Sequence, residues 1–231
     1  MKKITTMLLL LAIQSACGMD KSDASLLHYA SCGDYEGVEL ALANGANVNV
    51  TGDDGITALM SVLPCHDFDG QYVDTKLVKL LIASKADVNA EHPTFGSALL
   101  YAAKECSVKA IQLLLDAGAQ ADCRNTFGDT ALMRVVHGIG SLSCLGTHPE
   151  QELAIMETKA LKLLLEAKAD VNAKTLGGHT ALSLAVWNTR PAAVAFLKSR
   201  GALVEMPVEP TAADSTDDCN ATAILKNVRG E

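Results

Sequence analysis

Apolar positions along this chain come in short runs that restart at a regular interval. Five segments begin alike: ASLLHYASCGD from Ala24, TALMSVLP from Thr57, SALLYAAKECS from Ser97, TALMRVVHG from Thr130 and TALSLAVWN from Thr180. Each is followed by a second apolar run with a closing motif: LALANGANVN, KLLIASKADVN, QLLLDAGAQAD, KLLLEAKADVN and AFLKSRGALV. Start-to-start spacings of 33, 40, 33 and 50 residues reduce to one period of 33, with a surplus of 7 in unit two and 17 in unit four. The pattern predicts, per unit, a short helix, a turn, a second helix with an apolar stripe, and an extended hairpin. Leu113 to Leu115 and Leu163 to Leu165 are too many adjacent apolar residues for a helix covered on one side. They need neighbours on both flanks, which stacking of units supplies. Gly45, Gly118 and Gly201 stand where the second helix would end in a left-handed residue. Units two and four place Lys85 and Lys168 there, where a non-glycine residue costs about 1 kcal/mol.

From about Asp23 to Val204 these units resemble the ankyrin repeat, through the T-A-L starts, the L-L-L-x-x-G-A-D-V-N ends and the hairpin glycines Gly55, Gly128 and Gly178. The family pattern opens T-P-L-H. Here Ala replaces Pro in four units, and Leu, Met or Ser replaces His, so packing is expected to take over part of the hydrogen bonding at the helix starts. The resemblance implies an all-α ankyrin-repeat solenoid of stacked helix-turn-helix units joined by β-hairpin loops, spanning residues 19–205. It also implies a monomeric, non-enzymatic module without cofactor that binds a protein partner through a concave face of hairpin tips and first helices. Carried over by position, the tips offer Asp53, Asp54, Ile56, His92, Phe95, Arg124, Asn125, Phe127, Asp129, Lys174, Leu176 and His179. Tyr101, Arg134 and Trp187 on the first helices are the leading contacts, being of the residue types most often found as hot spots. Phe95, Phe127 and His179 stand beside them. The competing reading has Trp187 closing the core of the last unit and the two Phe packing between hairpins.

The ends depart from the repeat. In MKKITTMLLLLAIQSACG, residues 1–18, two lysines precede seven apolar residues from Met7 to Ile13, as in a signal peptide. Two processing routes remain open: cleavage after Gly18, or lipidation at Cys17, where Ser15 to Cys17 resembles the end of a bacterial lipobox with Gln14 in place of an aliphatic residue. Either makes the protein exported, periplasmic or secreted, with a membrane attachment only through a lipid on Cys17. Residues 206–231 read as an acidic linker followed by a segment, ATAILKNV, that either caps unit five or is disordered. The formal charge is -8, or -10 once Lys2 and Lys3 are removed. No basic stripe shows in the sequence, which argues against nucleic acid as a partner. Aromatics make up 4% of residues, so the core is one of Leu, Ala and Val.

The surplus residues carry the chain's reactive types. HGIGSLSCLGTHPEQ, His137 to Gln151, and PCHDFDGQ, Pro64 to Gln71, lie between the two helices of units four and two. Cys65, His66, Asp67, Cys144, His148 and Glu150 are all zinc-ligand types, but no C-x-x-C or H-x-x-x-H pair is present, and units two apart are separated by about 20 Å. Cys144 with His148 or His137 would supply a thiol and a base without a recognisable pocket. This metal- or thiol-dependent activity is the alternative to a pure binding role. The favoured role of these cysteines is covalent: Cys106 bridged to Cys65 or Cys144, stabilising by typically 2–4 kcal/mol. The surplus of unit four is then an irregular loop on the rim.

Overall fold

A computed structural model of the chain describes residues 20–63, 75–144 and 150–203, the side chains of 139–150 excepted. Unit one contains α1 (Lys21–Ser31) and α2 (Tyr35–Ala43), unit two α3 (Ala58–Ser61) and α4 (Thr75–Ala83), and unit three α5 (Ala98–Lys104) and α6 (Val108–Asp116). Unit four contains α7 (Ala131–Cys144) and α8 (Glu150–Glu166), and unit five α9 (Ala181–Trp187) and α10 (Pro191–Ser199). Between units two and three, β1 (Glu91–His92) and β2 (Gly96–Ser97) form an antiparallel ribbon pairing Glu91 with Ser97 and His92 with Gly96.

The first helices start on buried hydroxyl residues, Thr57, Ser97, Thr130 and Thr180. Thr57 accepts from the Met60 amide at 3.2 Å, satisfying one of the amides that a helix start leaves unpaired. Thr180 goes further: Ser183 stands where the family pattern has His, and the two hydroxyls each accept from the other's backbone N–H. This reciprocal capping box shows that hydrogen bonding survives in unit five. In unit four Met133 takes that position, and the Thr130 hydroxyl is buried without a partner among the described residues. The Thr130 N–H donates instead to the Met133 sulfur at 3.5 Å, so in unit four packing replaces only part of the hydrogen bonding.

The second helices all end alike. Gly45, Lys85, Gly118, Lys168 and Gly201 have φ of 87°, 70°, 90°, 67° and 86°. At each end the residue after the left-handed one donates back to a buried residue of the helix, Ala46 to Ala41, Ala86 to Leu81, Ala119 to Leu114, Ala169 to Leu164 and Ala202 to Leu197. The left-handed residue turns the chain sharply enough for this bond to form, and Lys85 and Lys168 are held there against their own preference.

Among the described residues the main helix contacts are between neighbouring units. α1, α3, α5, α7 and α9 pack in sequence, α2, α4, α6, α8 and α10 do the same, and each helix packs on its partner within the unit. Leu114 and Leu164 are fully buried between units, with Leu113, Leu115, Leu163 and Leu165 half-buried on either side. Such leucines are worth roughly 1.5–3 kcal/mol each in transfer free energy. The closing motifs stitch unit to unit. Asp23 accepts from the Asn47 amide, Asn49 from Asp87, Asn89 from Gln120, Asp122 from Asp170 and Asn172 from Leu203. The polar residue of the A-D-V-N motif is thus an acceptor for the next unit's backbone.

The described part of the unit-four surplus is helical, where its composition suggests a loop. Aligned on Ser97 and Thr130, α7 runs seven residues beyond the point matching the end of α5. Aligned on Leu114 and Leu164, α8 begins eight residues before the point matching the start of α6. His137 to Cys144, Glu150 and Gln151 are therefore helical. Gly138 makes the extension of α7 possible: a Cβ there would collide with the backbone carbonyl of Lys104, so only glycine lets α7 pass the end of α5. Residues 1–19, 64–74, 145–149 and 204–231, with the expected signal peptide, the unit-two surplus and the tail, lie outside the described residues.

Candidate concave binding face

Hairpins set the face, and their tips are locked to one another through the backbone. His92 is buried at the root of the tip of unit three. Its Nδ1 accepts from the amides of Thr94 and Phe95 at 3.0 and 3.1 Å, while Nε2 lies 2.8 Å from the Asp54 carbonyl of the preceding hairpin. These partners require the tautomer protonated on Nε2, which donates to Asp54. The ring fixes the tip, and Phe95 packs on it at 4.8 Å between centroids. Further along, Thr126 donates to the Thr94 carbonyl, Leu176 N–H to the Phe127 carbonyl, and Arg124 to the Lys174 carbonyl. Gly128 lies so close to the Thr175 and Leu176 backbone that a side chain would intrude.

On this frame Phe95, Phe127 and Leu176 are 48%, 61% and 84% exposed, three large apolar side chains on successive hairpins. The two Phe therefore face solvent instead of filling the space between hairpins. Beneath Phe95, Tyr101 meets its ring edge-on at 5.7 Å. Tyr101 is half-buried, and its hydroxyl is a buried donor with no partner among the described residues. Burial raises the pKa of that phenol above its ordinary value, the Asp54 charge adds to the rise, and Arg134 opposes it. Residues of units two, three and four thus act on one hydroxyl. Arg134 lies 3.6 Å from the Asp129 carboxylate, which also accepts from Asn125, while its Nε is buried without a partner among the described residues. Trp187 ends α9 half-buried, its ring edge-on to His179 at 4.7 Å. The sequence-selected residues therefore form two groups, Phe95 with Tyr101 and Arg134, and His179 with Trp187, with Phe127 and Leu176 on the hairpins between. Leu176 is the most exposed of the apolar tips, and only its place in a hairpin pointed to it in the sequence.

The reactive residues do not converge in the same way. Among the described residues no group of three or more His, Cys, Asp or Glu side chains is placed to hold a metal ion. Cys106 is a fully buried thiol in the turn between α5 and α6, with φ of 49° and no disulfide among the described residues. Of its expected disulfide partners, Cys65 and the side chain of Cys144 lie outside the described residues. Burial pushes the Cys106 thiol up to about 12, the nearby Glu157 charge adds to this, and Arg190 opposes it. At neutral pH such a thiol is uncharged, the wrong state for a nucleophile. Glu157 is itself buried, one carboxylate oxygen without a partner among the described residues. Burial raises its carboxyl to about 7, against the pull of Arg190. Composition gave no sign of this group, because its burial depends on the lengthened α8.

Models of the ankyrin repeat match the chain twice, a single repeat over residues 22–53 and a block of three copies over residues 70–146. In Caenorhabditis elegans, the "Ankyrin repeat and KH domain-containing protein mask-1" is 35% identical to this chain over 130 residues. That segment is 55% of this chain and 4% of the nematode protein, so the likeness concerns a small part of that protein.

Proposed function

We propose that this chain, a solenoid built of ankyrin repeats, works by holding a protein partner against its concave face and catalyses no reaction. Ankyrin repeats make it a protein-interaction module. The finer assignment to the concave face is supported by one observation above the rest: Phe95, Phe127 and Leu176 stand exposed on successive hairpins above half-buried Tyr101, Arg134 and Trp187. Rigid apolar tips over aromatic and guanidinium groups with unused donors are the chemistry of an interface centre. We further propose that the chain acts as a monomer and is exported through residues 1–18, with Cys17 either lipidated or removed. The mass of the mature N-terminal peptide from cell-envelope material distinguishes the two routes, and a retained residue 1 would rule out both.

The test is affinity capture with the full chain, followed by the dissociation constant of the captured protein for Tyr101→Ala, Arg134→Ala and Trp187→Ala, each checked for unchanged helicity. At least one substitution is expected to weaken binding tenfold or more, about 1.4 kcal/mol or above. If all three leave the constant unchanged, the partner does not bind there.

A further inference from the structure

The second helices of the middle units form a groove that involves none of the concave-face residues. It has a volume of about 510 Å³ and crosses α4, α6 and α8. Half-buried Val108, Leu113 and Leu163 contribute its apolar lining, and exposed Lys79, Lys109, Lys159 and Lys162 its charge. We propose that this groove is a second docking surface, and that its occupant is an acidic segment of a protein partner with apolar side chains between its carboxylates.

Charge complementarity carries the proposal. The chain is acidic, with a formal charge of -8, yet among the described residues four lysines and a single acid, Glu166, line the groove. Among the described ion pairs only Lys162 of the four is engaged, with Glu166 at 3.7 Å. Like charges gathered in this way repel one another, and carboxylates lying along the groove would relieve them. The repeat register shows that the pattern is local. Lys109 and Lys159 occupy one position of units three and four, and Lys79 and Lys162 one position of units two and four. The matching positions of unit one are Glu36 and Glu39, both exposed, and those of unit five are Ala192 and Ala195. The lysines are therefore a property of the middle units and not of the repeat. A recessed apolar floor fits inserted side chains better than a flat lipid surface, from which a chain of net negative charge is repelled as a whole. Nucleic acid is a poor match as well, because the described lining contains no aromatic ring for a base to stack on.

The probe is a fluorescein-labelled peptide of about fifteen residues with Glu and Leu at helical spacing, titrated with the full chain by anisotropy at about 50 mM salt, within the range where screening is weak. Its counterpart has Gln for every Glu. The Gln peptide is expected to bind at least tenfold more weakly, and the charge-reversed pair Lys109→Glu with Lys159→Glu to weaken the Glu peptide at least tenfold. Tyr101→Ala, Arg134→Ala and Trp187→Ala are expected to leave peptide binding unchanged, so failure here is separable from failure of the concave face. An affinity indifferent to the lysine reversal overturns the proposal. So does lysine-dependent capture of phosphatidylserine vesicles without peptide binding, which would make the occupant a membrane. Binding that appears only after residues 204–231 are deleted would instead make the occupant the chain's own tail.

Discussion

Units one, three and five differ from unit four between their helices and from units two and four at the end of the second helix, and the difference shows where this solenoid stores its strain. In the first group the turn is short and closes on a left-handed residue, Gly33, Cys106 or Thr189, after which the next amide reaches back to a first-helix carbonyl. In unit four the residues matching that turn are helical, within an α7 that runs on to Cys144, and α8 starts early. The same two units, two and four, end their second helices on Lys85 and Lys168 where the others have glycine. Regular units thus spend their left-handed glycine at the hairpin entry, whereas irregular ones tolerate a side chain there and remain in register because stacking over-determines the turn.

The largest test of this comparison is Gly138→Ala. A methyl group at that position would overlap the Lys104 backbone, so α7 must move away from α5 or lose its extension. A loss of about 2–4 kcal/mol is expected in urea denaturation, since neither backbone can yield without disturbing a packed neighbour. A loss below ~0.5 kcal/mol would mean that α7 does not depend on that close approach.

Glu157 gives the next effect, and it depends on pH. Its carboxyl is raised to about 7 in the folded chain from 4.5, so the folded state binds the proton more tightly than the unfolded state. Its burial is therefore harmless below about pH 4.5. Stability falls as pH rises towards 7, and the full cost is present above it. Glu157→Gln is expected to flatten the stability profile between pH 5 and 8 and to raise stability at pH 8 by roughly 1–3 kcal/mol. An unchanged slope would place the carboxyl in contact with water.

Ser183→Ala probes the regular side. It removes the reciprocal cap with Thr180 and should cost about 1 kcal/mol in thermal or urea unfolding. The equivalent Met133→Ala in unit four removes a fully buried side chain together with its weak sulfur acceptor for the Thr130 N–H and should show a larger loss, most of it packing; equal losses would mean that the two helix starts are held in the same way. The smallest effects belong to Lys85→Gly and Lys168→Gly, each expected to stabilise by roughly 0.5–1 kcal/mol because glycine enters the left-handed region without steric cost. Gly118→Ala should do the reverse in unit three. Because the lysines are two units apart, their effects should add.

Much of this was readable from the chain alone. The 33-residue period, the hydroxyl starts, the left-handed closing position and the need of the leucine triplets for flanking neighbours all follow from interactions within about ten residues, and periodic sequence reports those directly. Phe95 and Phe127 as tip residues came from the same register. HGIGSLSCLGTHPEQ was less transparent, because three glycines and a proline mark loops on average, and nothing local announces that α5 of the preceding unit leaves a path only Gly138 can follow.

Local interactions in the sequence thus determined the repeat, its helices and its hairpins. Tertiary structure alone decided what lies between units: the helical fate of His137 to Cys144, the burial of Glu157 beside Cys106 and Arg190, and the meeting of Asp54 and Arg134 around Tyr101. It also decided the groove. Lys79, Lys109, Lys159 and Lys162 look scattered along the chain, and no basic stripe is visible there. Stacking three units brings residues 30 to 80 positions apart onto one surface. Electrostatic potential depends on distance in space, which a linear sequence of units does not display until they are packed.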